Sequence, residues 1–135
     1  MTQAGPRVSV VIPAYNAEGF ITKTLDSVRN QTFRDYEIIV VDDGSSDGTN
    51  DIVSTFLADH SLKGRCIRQE NRGIAAARNI GMGAAIGILI ALLDHDDIWY
   101  PAKLERVLAE FDRHPEAVWR ELVPQICVSR HLFSR

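Results

Sequence analysis

Apolar and polar positions alternate along this chain in two periods. Val8-Ser9-Val10-Val11-Ile12 is a β-branched run stopped by Pro13, which predicts a buried first strand. After a polar loop, Ala14 to Gly19, apolar positions Ile21, Leu25 and Val28 recur at helical spacing and predict a helix over about 20–30. Tyr36 to Val41 repeats the strand pattern and runs into Asp42-Asp43-Gly44-Ser45-Ser46-Asp47-Gly48-Thr49, dense in turn and N-cap residues. Ile52, Val53, Phe56 and Leu57 predict a second helix over about 49–60, and a weaker strand follows at 65–69. Asn71-Arg72-Gly73 then opens a helix of small residues, Ile74 to Gly81, whose alanines allow close packing on a sheet. An apolar strand at 88–93 and a helix over 102–112, striped by Leu104, Val107, Leu108 and Phe111, complete the pattern.

The order β-α-β-α-β-α-β-α predicts an α/β fold, a Rossmann-like, mostly parallel sheet with helices on both faces and right-handed crossovers. In such sheets ligands bind beyond the carboxyl ends of the strands. The loops carrying Tyr15, Asp43 and Asp94 to Asp97 therefore share one edge and can converge on one site.

The last of these loops is chemically the most pointed. The apolar run Ala84 to Leu93 ends in Asp94-His95-Asp96-Asp97, three carboxylates in four residues. Carboxylates crowded in this way repel one another and are partly protonated unless a positive group offsets them. A hard divalent cation with oxygen ligands suits them; a solvated acidic turn ahead of the next helix is the plain alternative.

Composition narrows the field. A chain of 135 residues holds one domain with a real core. Net charge is −3, so no basic surface argues for nucleic acid. Cys66 and Cys127 lie far apart without metal-ligand spacing and read as small buried residues or free thiols, which fits a reducing cytoplasm. Residues 1–7 lack the apolar core of a signal peptide, and the longest apolar run is too short to span a bilayer. The four histidines form no ligand set: His95 reads as a loop residue, and His60, His114 and His131 as surface residues.

The first loop is Pro-Ala-Tyr-Asn-Ala-Glu-Gly, not the Gly-x-Gly-x-x-Gly of a dinucleotide fold, and no Gly-Lys-Ser/Thr of a P-loop occurs. Carboxylates, one aromatic and small residues could instead hold a nucleotide by base and ribose, with phosphates bridged through a metal. Asp43 could accept from a base imide or a ribose hydroxyl, or serve as a turn residue, a role Asp42 suits better. Tyr15 could pack on a base or be a rim aromatic. Arg78 could approach a phosphate or make a helix-surface ion pair. Glu18 could cap the first helix rather than touch ligand.

Taken together, Val8-Ser-Val-Val-Ile-Pro-Ala-Tyr-Asn16, Val40-Val-Asp-Asp-Gly-Ser-Ser-Asp-Gly-Thr49, Asn71-x-Gly73 with Ala77-Arg-Asn-x-Gly81, and Leu93-Asp-His-Asp-Asp97 resemble the nucleotide-binding half of family 2 glycosyltransferases with the GT-A fold, over about residues 8–115. The resemblance implies metal-dependent transfer of a sugar, with inversion, from a nucleoside diphosphate sugar (a UDP-sugar is favoured) to an acceptor hydroxyl on a sugar, lipid or polysaccharide. It implies that Pro13, Ala14, Tyr15 and Asp43 line the nucleoside pocket, that Glu18 supports it, and that Gly73, Arg78 and Asp94 belong to the donor-binding set. Asp96 and Asp94 match the family's Asp-x-Asp and would hold Mg²⁺ or Mn²⁺, with Asp96 the best candidate for direct metal contact, Asp94 nearer the ribose and Asp97 supporting the loop. Such enzymes often work at the inner face of a membrane.

The resemblance fades near Trp119. The chain therefore divides into a nucleotide-sugar-binding domain, 1–119, and a divergent basic stretch, 120–135, expected to be irregular. Inverting transfer needs a general base, which the family supplies downstream of Asp-x-Asp; Glu110, Asp112, Glu116 and Glu121 read as surface carboxylates instead. The alternative is a truncated, non-catalytic remnant that holds nucleotide and metal without the acceptor half. Without the family's later strands, the sheet edge beside the 88–93 strand would be exposed and would favour self-association.

Overall fold

A computed structural model describes residues 5–114 and the strands at 119–122 and 126–130. Ten elements follow in chain order: β1 (Val8–Ala14), α1 (Ile21–Arg29), β2 (Tyr36–Asp42), α2 (Thr49–Asp59), β3 (Gly64–Arg68), α3 (Ile74–Ala84), β4 (Leu89–Leu92), α4 (Lys103–Arg113), β5 (Trp119–Leu122) and β6 (Ile126–Arg130). The predicted α/β sequence of elements is present, with boundaries displaced by one to three residues. The sheet order is β3-β2-β1-β4-β6-β5. The first four strands are mutually parallel, and β6 and β5 close the sheet in antiparallel pairing.

β1 and β2 are buried along their whole length because helices cover both faces. Alternate side chains sort into two cores. Val8, Val10 and Ile12 of β1, with Ile38 and Val40 of β2 and Leu89 and Ala91 of β4, meet α1, α2 and α4 through Leu25, Val53 and Phe111. On the other face Val11, Ile39, Val41 and Ile90 meet α3 through Ala77. The small-residue helix is needed there: a Cβ on Gly81 would collide with Val11 Cγ1 and come within 3.2 Å of Val41 Cγ2.

Pro13 does not stop β1, as its ring suggests; the strand continues to Ala14. The ladder explains the tolerance. Val11 accepts from Leu93 N–H on the β4 side, and Ala14 accepts from Asp43 N–H on the β2 side. By alternation Pro13 faces the β4 side, where pairing ends at Val11 with Leu92. Its missing N–H falls beyond the ladder.

Two expectations are corrected. The stretch from residue 120 is not irregular where it is described, since β5 and β6 lie there; 123–125 and 131–135, with His131, are outside the described residues. The edge beside β4 is not open either. β6 pairs along it from Leu89 with Arg130 to Leu92 with Cys127, which removes the basis for self-association through that edge. Among the described residues no helix is long and apolar enough to cross a membrane.

Close packing of α3 makes Gly81 a point of control over the fold. Gly81→Val is expected to push α3 off the sheet and to destabilise the chain by about 1–3 kcal/mol. Urea unfolding checks this, with a fall in midpoint at unchanged m-value as the expected result.

Candidate functional site

The carboxyl ends of β1, β2 and β4 share one edge of the sheet, and the loops leaving them are tied to one another. After β1, Asn16 takes φ 47°, a left-handed conformation that Asn tolerates. Its N–H donates to Ser45 Oγ at 2.9 Å, and its Oδ1 accepts from Ser46 N–H at 2.8 Å. Ala17 N–H donates to Thr49 Oγ1 at 2.8 Å. Glu18 is not among the residues that line the cleft beside Tyr15 and Asp43. Its Oε2 accepts from Gly48 N–H at 2.8 Å and so satisfies a free donor at the start of α2 rather than α1.

β2 ends in two buried carboxylates with different duties. Asp42 accepts from Ser45 N–H and from Arg68 Nη1, both at 2.9 Å, and is the turn residue its position suggested. Asp43 accepts from Gln69 Nε2 at 2.9 Å, Arg72 N–H at 2.8 Å and Gly73 N–H at 2.9 Å. Burial alone would raise the Asp43 pKa; the three donors outweigh it and hold the carboxyl below the usual range. Asp43 thus fixes the start of α3. Gly73, its third donor, stands at φ 98°, a conformation that favours glycine.

The acidic loop is held by its backbone. Thr24 Oγ1 on α1 donates to the His95 carbonyl at 2.8 Å. Asp97 N–H closes a turn onto the Asp94 carbonyl at 3.1 Å. Buried Gln31, at the end of α1, donates to the Tyr100 carbonyl at 2.7 Å and accepts from Leu104 N–H at 2.9 Å, which fixes the exit into α4. Neither Thr24, a polar position within the predicted helix, nor Gln31, in the turn just after it, was visible as a site residue in the sequence.

Pro13, Ala14, Tyr15, Asp43, Ile74, Ala77 and His95 line one cleft of about 60 Å³. Four of the predicted nucleoside residues, Pro13, Ala14, Tyr15 and Asp43, are thus brought together. Ile74 and Ala77 were missed as pocket residues, although their spacing from Gly73 on one helix face was the available signal. His95, read only as a loop residue, is a wall of the cleft. Tyr15 is 45% exposed, so its ring is open to a ligand. Arg78, one residue past Ala77, donates from Nη2 to Asp94 Oδ1 at 2.8 Å, so the ion-pair alternative describes its contact. Its Nε is buried without a hydrogen-bond partner.

Burial, then the charges of Asp94 and Asp96, push the Asp97 carboxyl above its usual range, against the opposing influence of His95. The loop thus carries more negative charge than its one arginine contact offsets, and its donors are hard oxygens. Both features fit Mg²⁺ or Mn²⁺. Among the described residues no three His, Cys, Asp or Glu are placed to hold an ion by themselves. Asp96 and Asp94 would need ligand oxygens from a bound phosphate, the usual arrangement for Mg²⁺.

Groups away from the cleft have structural roles. Cys66 accepts a 3.4 Å contact from Asn50 Nδ2, and burial with the nearby Asp42 pushes its thiol up to about 11, which makes it unreactive. Asp112 pairs with Arg7 at 2.6 Å and Glu110 with Arg113 at 3.0 Å on the surface of α4. Glu116 and the side chain of Glu121 are outside the described residues.

Comparison with known proteins places this geometry. Residues 9–126 match the family model for glycosyl transferase family 2, which runs past the boundary expected at 119. An uncharacterised glycosyltransferase of Nostoc sp. is 39% identical over 105 residues, 78% of this chain and 33% of its own length. Chondroitin synthase of Escherichia coli is 41% identical over 106 residues, 78% of this chain and 15% of its own. The crystal structure of TarS from S. aureus in complex with UDP-GlcNAc superposes with a TM-score of 0.77 at 30% identity, over 88% of this chain and 37% of that one. The chain spans a third or less of the length of these two curated relatives.

Asp43→Asn tests the anchoring of α3. It leaves at least one N–H of Arg72 or Gly73 without its carboxylate acceptor in a part-buried setting, which costs about 1 kcal/mol at neutral pH. The folded pKa of Asp43 is depressed, so its contribution is complete above the unfolded value of about 4 and is lost as pH falls through the folded value. The gap between wild-type and variant unfolding free energies is therefore expected to be full at pH 7 and to shrink in acid below about pH 4, as read by urea denaturation at each pH.

Proposed function

The chain belongs to glycosyl transferase family 2, and we propose that its cleft binds the nucleoside of a nucleoside diphosphate sugar, a UDP-sugar by preference, as the donor side of an inverting, metal-dependent sugar transfer to an acceptor hydroxyl. The observation that carries this reading is the convergence, at the ends of β1, β2 and β4, of an apolar cleft with an anchored acidic loop.

The cleft is small, about 60 Å³, with the Tyr15 ring 45% exposed at its rim. It suits a base packed on Tyr15 and Ala77, with sugar and phosphates passing over the open edge toward Asp94 and Asp96. Three donors already bind the Asp43 carboxylate, which has room for about four, so one acceptor position remains for a base imide or ribose hydroxyl. Arg78 and the Asp94–Asp97 loop stand where the phosphates would lie, supported by Thr24 and Gln31 so that little reorganisation is needed on binding. Asp96 and Asp94 would hold Mg²⁺ or Mn²⁺, whose charge stabilises the diphosphate as it departs.

The residues described make only the donor side. Transfer with inversion needs a carboxylate to take the acceptor proton, and no described residue is assigned that role: Glu110 and Asp112 are engaged in ion pairs on α4. The acceptor in this reading is a lipid-linked sugar or growing polysaccharide at the cytoplasmic face of a membrane. The similarity to a chondroitin synthase supports the polysaccharide class.

Calorimetric titration of the chain with UDP and Mn²⁺, then with GDP and TDP, is the direct test. UDP is expected to bind in a Mn²⁺-dependent way and more tightly than GDP. Asp96→Ala is expected to weaken UDP–Mn²⁺ binding at least ~10-fold, equivalent to about 1.4 kcal/mol. A folded wild-type chain that binds no nucleotide with metal would overturn the proposal. Binding without sugar transfer to any acceptor would favour a nucleotide-binding module.

A further inference from the structure

Arg78 is the one cation seen in direct contact with a carboxylate of the acidic loop among the described residues. It projects from α3, whose start is pinned by Asp43 through Gly73, and reaches Asp94 Oδ1 at 2.8 Å. The two side chains are 36% and 39% exposed, so solvent can reach the pair and the pair can exchange. The contact uses only one edge of the guanidinium. Arg78 Nε stays buried without a hydrogen-bond partner, although a guanidinium fork suits two anionic oxygens at once. The pair also bridges two walls of the cleft, since Ala77 and His95, the neighbours of Arg78 and Asp94, both line it.

These facts describe an arginine in a contact that satisfies only part of its donors, on a carboxylate that a divalent cation also suits. We propose that Arg78 and the divalent cation are alternative counter-charges for Asp94. While Arg78 holds Asp94, a cation meets a loop already partly neutralised and binds weakly. A nucleoside diphosphate offers the guanidinium two phosphate oxygens, draws it off Asp94 and releases that carboxylate. The cation therefore binds tightly only together with the nucleotide, and Arg78 is a positioning residue that sets this coupling. The inference rests on the donor-site reading above and adds to it an order of binding.

Linkage makes the inference measurable. The factor by which UDP tightens Mn²⁺ is the factor by which Mn²⁺ tightens UDP, and Arg78 contributes part of it. Binding of Mn²⁺ alone can be followed by loss of the free-ion electron paramagnetic resonance signal, and binding of UDP by calorimetry with and without Mn²⁺. Arg78→Gln is expected to bind Mn²⁺ alone about 10-fold more tightly than wild type, with the UDP–Mn²⁺ coupling factor reduced, within the usual 5- to 150-fold range of such couplings. Arg78→Met, which keeps the aliphatic stem, gives the same reading if the Gln variant does not fold. Arg78→Lys, still cationic, keeps Mn²⁺ binding dependent on UDP. An arginine that merely braced the loop would leave Mn²⁺ binding weaker on removal, never tighter. Unchanged or weaker binding of Mn²⁺ alone in folded Gln and Met variants, with wild type still binding UDP and Mn²⁺ together, would overturn the inference and leave the donor site standing. Failure of wild type to bind UDP with Mn²⁺ would remove both.

Discussion

Two adjacent buried carboxylates at the end of β2 organise the working edge of this molecule. Asp42 and Asp43 are 0% and 4% exposed, and neither could remain charged there without local donors. They obtain them from opposite directions, as successive residues of a strand must. Asp42 draws in Ser45 N–H and Arg68, and Arg68 also donates to the Ser45 carbonyl, so the turn into α2 is closed on itself. Asp43 draws in the chain between β3 and α3, fixing where the small-residue helix begins. Remove that second set and α3, with Ile74, Ala77 and Arg78, loses its reference point.

From that constraint the cleft follows. The Asp43-anchored helix forms one wall, the end of β1 with Tyr15 another, and His95 of the acidic loop the third. The walls are independent in sequence but not in structure. Asn16 binds Ser45 and Ser46, Ala17 binds Thr49 at the start of α2, and Thr24 of α1 binds His95, so each loop is supported from another part of the chain. A site supported in this way is preorganised by hydrogen bonds made on folding, not on binding.

Much of this was legible in the residues, for physical reasons. Buried parallel strands and amphipathic helices announce themselves by period, so the element order and the apolar stripes that carry Leu25 and Phe111 could be read directly. Pro13, Ala14, Tyr15 and Asp43 could be placed on one edge because strand ends in such a sheet share it. Partner choice was not legible. Glu18 reaches Gly48 across 30 positions and Gln31 reaches Leu104 across 73, and nothing local distinguishes such a residue from a solvated one. The last strands were missed for another reason: Trp119–Leu122 and Ile126–Arg130 are short, with no clean alternation, and their pairing with β4 and each other is a tertiary fact.

The acidic loop shows why backbone support and side-chain charge are separated. If Asp94, Asp96 and Asp97 had to fold the loop through their own side chains, their oxygens would be committed to N–H donors, as those of Asp43 are, and poorly available to a cation. Here the loop is shaped by carbonyl contacts to Thr24 and Gln31 and by one turn onto Asp94. The carboxylates keep their charge close together, at a cost seen in the raised pKa of Asp97. That cost is tolerable because α1 carries the structural work, and it concentrates negative potential where a cation can relieve it. Arg78 provides partial relief within the fold, through a contact that is half exposed and incompletely bonded. A loop held from behind and neutralised from the front by an exchangeable arginine can give up that contact without losing its shape.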